Sequence, residues 1–258
     1  MSNSSWIFLN VSGENLDNLL EPQENVTFTI PSVSFVHDNV LWGYTAPIEG
    51  TRYRFDVFGN LGFSAPNQSF YSVVGDIRTY LRFFYDHSLA LRISGGYSGG
   101  ENPQRFFIGG TENWINRTFA TTEVPINSAS DFAFLTAVLP LRGYNYAERI
   151  GTRYFLTNIE LRFPLIRYLL TGGLPLLFNN IIGVAFIDAG TTWNDDKKIS
   201  LFTRDPYGNL ITDDMLIGTG FGARVFFLYF LLRFDVAWAY NIEGFSSPKF
   251  YFSLGADF

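Results

Sequence analysis

Cysteine is absent from this chain of 258 residues, which excludes disulfide scaffolds and thiolate metal sites and fits an oxidising compartment, where a stray thiol is a liability. Long hydrophobic runs are missing as well. The strongest, Val225 to Leu232, ends at Arg233, far short of the roughly 20 apolar residues a membrane-spanning helix needs. Charge is scarce, with Asp, Glu, Lys and Arg making up 16% of the chain against roughly 25% in soluble domains. Lysine is the scarcest of these, three residues beside fifteen arginines, and the net charge is -6. With no Lys/Arg-rich segment to neutralise phosphates, nucleic acid is not an expected partner. Arginine suits enclosed, multiply hydrogen-bonded ion pairs better than lysine, which points to charges held in an interior.

What the chain has in excess is aromatic rings: 18% of all residues, including 28 Phe and 14 Tyr. Only helices and closed β-barrels satisfy every backbone polar group inside lipid, so an apolar chain without helical spans that still enters a membrane must do so as a barrel. The patterning agrees. From about residue 51, apolar and polar residues alternate with period two, the signature of strands with one apolar and one polar face. Tyr53, Phe55, Val57, Leu61 and Phe63 alternate with Arg52, Arg54, Asp56 and Asn60. A hairpin follows, with Tyr71, Val73, Ile77, Leu81 and Phe83, then Leu89, Leu91 and Ile93, against Asp76, Arg78, Arg82, Ser88 and Arg92.

Further strands are expected over 152–163, 216–226, 228–240 and from Lys249 to the last residue. In the last of these Phe250, Phe252, Leu254, Ala256 and Phe258 share one face. A soluble sandwich also alternates, but its polar face would not carry Arg, Asp and Glu on strand after strand opposite a uniformly bulky aromatic face. Lumen-polar, lipid-apolar alternation explains both. Strands of ten to thirteen residues also match a tilted transmembrane strand better than the roughly 5–6 residues of soluble sheets.

The fold class expected is therefore all-β, an antiparallel transmembrane barrel of about nine or ten strands, the first near residues 26–38. Residues 1–24, with Glu14, Asp17, Glu21 and Glu24, read as a linker or entry segment, and residues 25–258 as the barrel domain. Residues 99–150 form the longest loop and 194–214 a second. Connections elsewhere are expected to be short, which places the two long loops on the extracellular side. The first residues, Met-Ser-Asn-Ser-Ser, lack the regions of a signal peptide, so an export signal is expected upstream.

Catalytic patterns are thin. The histidines, His37 and His87, stand near strand ends, and no GxSxG, HExxH, phosphate loop or dinucleotide fingerprint is present. Asp195-Asp196 and Asp213-Asp214 lack calcium-loop spacing and read as solvated loop acids. Gly109-Gly110 and Gly172-Gly173 read as turn residues. No enzyme, cofactor or metal is expected.

Three segments are more informative: Arg105-Phe-Phe-Ile-Gly-Gly110 leading to Leu141-Arg142-Gly143-Tyr144; Asn158-Ile-Glu160-Leu-Arg162-Phe-Pro-Leu165; and Phe186-Ile-Asp188-Ala-Gly190 with Trp193. Their order and spacing resemble the bacterial surface-antigen superfamily of outer-membrane assembly and translocation barrels, the group of BamA, TamA and FhaC. Barrels of that family carry a long inward-folded loop with an Arg-Gly-aromatic tip, then a strand with a lumen-facing Glu, then a Phe-x-Asp-x-Gly strand. The resemblance implies that Arg142, Gly143 and Tyr144 form the loop tip and that Asp188, beside Gly190, and Glu160 receive Arg142 in the lumen. Electrostatics argues the same way, because an arginine brought into an enclosed lumen needs carboxylates. Asp188 fits less cleanly, since Phe186 and Ala189 interrupt strict alternation around it.

The last strand is similar to the family's assembly signal, implying that role for Phe250, Phe252, Leu254 and Phe258. Thr45 to Arg52 resembles the turn into an earlier strand. The roughly 30 residues between Gly109-Gly110 and Arg142 exceed the family's usual spacing, and Gly109-Gly-Thr-Glu-Asn-Trp114 resembles a subgroup fused to an N-terminal TolB-like propeller of WD40-type repeats. The resemblance implies an outer-membrane location, contact with outer-membrane lipid, and insertion or translocation of client proteins or other amphiphilic polymers, with periplasmic accessory proteins as further partners. A passive pore, or a membrane anchor for a fused propeller, is the alternative.

Overall fold

A computed structural model describes residues 29–43, 45–60, 69–84, 87–120, 135–165, 181–196, 198–227 and 230–255. Among them, ten strands form one antiparallel sheet. In chain order its strands are β1 (Ser32–Asp38), β2 (Leu41–Trp42), β3 (Pro47–Asn60), β4 (Phe70–Phe84), β5 (His87–Gly100), β9 (Arg153–Pro164), β10 (Ile182–Trp193), β13 (Leu216–Phe227), β14 (Phe230–Tyr240) and β15 (Lys249–Leu254). The spatial order is β1-β3-β4-β5-β9-β10-β13-β14-β15, with the short β2 alongside β3. Successive long strands pair in sequence order, β5 with β9 and β10 with β13 across the two long loops, so the sheet is an up-and-down meander. No pairing of β15 with β1 occurs among the described residues.

The two faces of the sheet are reversed with respect to a soluble protein. Ile77, Ile93, Ile159, Ile187, Phe221 and Phe234 stand exposed, Ile187 at 52% and Phe221 at 57%, while Arg92, Asn158, Glu160, Asp188, Arg224 and Asp235 are buried. In water this arrangement would leave apolar area unburied at about 25 cal/mol per Å² while paying to desolvate charge. In lipid the same exposed face is the favourable one. Strand length fits as well: β3, β4 and β5 run 14, 15 and 14 residues.

Some boundaries differ from expectation. The region expected as one irregular loop is itself built: β5 continues to Gly100, and β6 (Arg105–Ile108), β7 (Leu135–Leu139) and β8 (Arg149–Gly151) form a separate three-stranded sheet, with β6 parallel to β7. Pro47 to Thr51, expected as a turn, already belong to β3. Residues 166–180, between β9 and β10, lie outside the described residues. A further hairpin, β11 (Phe202–Arg204) with β12 (Leu210–Thr212), closes on the Asp205 to Asn209 turn in the second long loop. The entry segment 1–24, Gly172-Gly173 and Phe258 lie outside the described residues.

Candidate functional site: a loop tip fastened inside the barrel

The site is assembled by register. Because β9 and β10 pair with Asp188 opposite Asn158 and Phe186 opposite Glu160, alternation sends Asn158, Glu160 and Arg162 inward from β9. It sends Val184, Phe186, Asp188 and Gly190 inward from β10. The irregularity around Asp188 has a simple cause: Phe186 is a lumenal residue, 3% exposed, while Ile187 faces out. An aromatic ring is on the polar face because a cation lies over it.

That cation is Arg142, whose guanidinium carbon sits 3.5 Å from the centroid of the Phe186 ring. Its Nε and Nη2 donate to the two oxygens of Asp188 at 2.7 and 2.8 Å, and its Nη1 donates to Glu160 Oε1 at 2.6 Å. The Arg142 backbone N–H adds a third bond to Asp188, at 3.1 Å. This is the two-pronged geometry a planar guanidinium makes and an ammonium cannot. All three side chains are buried, Glu160 and Asp188 at 0% exposure. Around them the remaining valences are filled: Asn158 Nδ2 donates to Asp188 Oδ1 at 2.8 Å and to the Pro140 carbonyl at 3.2 Å, and Arg162 donates to Glu160 Oε2 from Nη2 at 2.8 Å.

The rest of the tip is held by backbone contacts that sequence patterning does not announce. Gly143 has φ of +98°, and a Cβ there would meet the backbone of Trp238 and Ala239 on β14 at 2.8–2.9 Å. Opposite it on β13, a Cβ on Gly218 would lie 1.7 Å from the Arg142 carbonyl oxygen. Gly218 thus seats the tip, while Gly220 and Gly222 beyond it leave room for the Phe186 ring and for the Asp235 carboxylate. Tyr251 of β15 bridges the tip: its hydroxyl accepts from Gly143 N–H and donates to the Tyr144 carbonyl, both at 2.8 Å. The Tyr144 hydroxyl likewise exchanges bonds with the backbone of Ile217, accepting from N–H and donating to C=O at 3.1 Å each.

Gly190, the last residue of the Phe-x-Asp-x-Gly segment, gives room of another kind. A Cβ there would press on Ile108 and the Phe155 carbonyl at 2.7 Å, so the inner three-stranded sheet packs directly on β10. Of the terminal-strand residues, Phe250 is exposed, Phe252 and Leu254 are half-buried, and Tyr251 and Ser253 point inward. The group the sequence did not single out is Tyr251 with the β13 glycines. The Gly-x-Gly-x-Gly spacing on an otherwise charged face is the signal that marks them.

A model of the Omp85 superfamily domain matches residues 17–258. The chain belongs to the Omp85 superfamily. It is the family toward which the Arg-Gly-Tyr, Glu and Asp segments point, and with it the chain is a bacterial outer-membrane β-barrel chain. A search of the curated proteins gives no match. Among solved structures the chain is similar to the crystal structure of BamA from Haemophilus ducreyi lacking POTRA domains 1-3, with a TM-score of 0.52 and 16% identity. The likeness covers 88% of this chain and 42% of that one, so this Omp85 chain spans less than half of that protein's length. At this identity the likeness is one of fold. The inside-out sheet thus has its setting: the exposed rings are the lipid face of an Omp85 barrel, and the Arg142 cluster lies on its inner wall.

Proposed function

We propose that this chain is the membrane-embedded part of a protein that inserts or translocates proteins, or other amphiphilic polymers, at the outer membrane. Residues 25–258 would be the barrel domain and 1–24 its entry segment. Client proteins and periplasmic accessory proteins are the partners this reading requires, and no catalytic role is assigned to any residue. One observation carries it: the tip of the 99–150 loop is fastened to the inner wall by Arg142 on Asp188 and Glu160. A passive pore gains nothing from a loop tip bound to its inner wall at the cost of desolvating one cation and two anions. A conformationally managed barrel does gain, because a plug held by one multivalent contact has two discrete states, docked and released.

In this reading Arg142 is the fastening, Asp188 and Glu160 its receptors, Gly143 and Tyr144 the fit of the tip to β13 and β14, and Gly190 the clearance behind. Phe250, Phe252, Leu254 and Phe258 are proposed as the strand that directs the barrel's own assembly. The test is depletion in the native host, followed by quantitative proteomics of the outer membrane and cell surface. Loss of a defined set of surface or outer-membrane proteins, restored by the wild-type chain and not by Arg142→Ala, is the expected result. An unchanged protein set with altered permeability to small solutes would favour the pore.

A further inference from the structure

The last strand has two edges, and the chain makes hydrogen bonds to both. The inner edge of β15 pairs with β14, from Leu254 opposite Leu232 to Lys249 opposite Ala237. Phe250, Phe252 and Leu254 turn their backbone N–H and C=O groups to the outer edge. Exposed edges of this kind are templates for further pairing. Three of them, the N–H and C=O of Phe252 and the C=O of Phe250, are taken by a segment of the long loop. Ile115 N–H donates to the Phe252 carbonyl at 2.8 Å, Asn116 Oδ1 accepts from Phe252 N–H at 2.9 Å, and Asn116 Nδ2 donates to the Phe250 carbonyl at 3.1 Å. Trp114 and Ser253 form an antiparallel bridge beside them.

Two of those three bonds come from one side-chain amide, which presents the same donor and acceptor pair as a peptide group. Its orientation is set without ambiguity: Trp114 Nε1 also donates to Asn116 Oδ1, at 2.7 Å, so both donors meet the oxygen and the carbonyl meets the nitrogen. The Trp114 ring is buried against Tyr251, centroids 4.5 Å apart, and Tyr251 is the residue whose hydroxyl clasps Gly143 and Tyr144. The same segment is tied to the tip twice more. Gly110 and Leu141 exchange two backbone bonds at 2.9 and 3.0 Å, and Tyr146 donates to the Thr118 carbonyl at 2.8 Å.

We propose that Trp114 to Asn116 is a built-in strand substitute that reserves the outer edge of β15, and that it is mechanically one piece with the Arg142 tip. Any other strand then gains that edge only when the loop leaves the inner wall. The substitute is short, three residues with one amide standing in for a peptide, so it covers the edge without the continuous ladder that would make it permanent. The fastening at Arg142 and the availability of the edge become a single equilibrium. This inference stands on the edge contacts and does not depend on what the barrel transports.

The absence of cysteine gives the test a clean background. Ile115→Cys with Phe252→Cys, in purified outer membranes under mild oxidation, should form an intramolecular disulfide in high yield. Leu232→Cys with Leu254→Cys, opposed within the sheet, serves as the control for a folded barrel. Adding Arg142→Ala should lower the first yield severalfold and leave the control unchanged. In the cysteine-free chain, Asn116→Ala should accelerate hydrogen exchange at the Phe252 amide by about tenfold or more while the amides of β14 hold. No 115–252 disulfide in a barrel whose control pair oxidises would overturn the proposal, as would a disulfide between copies or an unchanged Phe252 amide. A 115–252 yield indifferent to Arg142→Ala would overturn the coupling.

Discussion

A guanidinium has five N–H donors and one charge, and at Arg142 the aromatic face of Phe186 and the carboxylates of Asp188 and Glu160 answer them together. Removing the cation leaves the buried Asp188 carboxylate without its counter-ion and Glu160 with Arg162 alone, which costs roughly 3–5 kcal/mol, whereas an exposed arginine in a surface pair contributes about 0–1. Arg142→Ala should therefore lower the temperature at which the detergent-solubilised protein loses its compact, fast-migrating gel form. Arg142→Lys should recover only part, because an ammonium cannot bridge both carboxylates with a fork. Combining Arg142→Ala with Asp188→Asn should cost less than the sum of the two single changes, and strict additivity would place the guanidinium outside the cluster. Gly218 provides a steric test of the same contact. Gly218→Ala puts a methyl where the Arg142 carbonyl lies and should destabilise the docked tip, while Gly244→Ala, with open space around it, should change nothing. Equal melting of the two variants would show that the tip does not rest on β13.

At the scale of elements the period-two pattern carried most of the information, because in a strand it decides at once which residues meet lipid and which meet the lumen. Ile77 against Asp76 and Ile93 against Arg92 are separated by it without any tertiary knowledge. What it could not reach depends on three-dimensional proximity. Phe186 looks like a misplaced lipid-facing ring until Arg142 is above it. The small sheet of β6, β7 and β8 is hidden because β6 pairs in parallel with a strand about 30 residues away, a contact no local period encodes. The clasp of Tyr251 on Gly143 joins residues 108 apart and leaves no mark on either sequence neighbourhood. The pattern itself yields a prediction. Ile187→Arg, on the outer face in mid-strand, should destabilise the folded barrel in lipid by about 2–4 kcal/mol, the cost of a cationic side chain near the bilayer midplane. Tyr207→Arg, on the exposed turn of the second long loop, should cost nothing measurable. Denaturant unfolding in vesicles compares them, and equal tolerance of both arginines would mean that β10 does not face lipid.

At the scale of the whole molecule, an Omp85 sheet places its charged face inward and holds a loop tip against it, and we propose that the barrel's interior serves as an interaction surface. The polar face provides the receptors, Gly218 the seat of the tip, and the last strand both the clasp on the tip and the edge that the loop covers. The most direct measurement is conductance of the purified full-length protein in planar lipid bilayers. The wild-type chain should show low conductance with rare, brief openings, and Arg142→Ala should raise the open probability severalfold as the tip is released. A large, steady conductance in the wild type, unchanged by Arg142→Ala, would contradict the claim that the loop fastened by Arg142 fills the barrel.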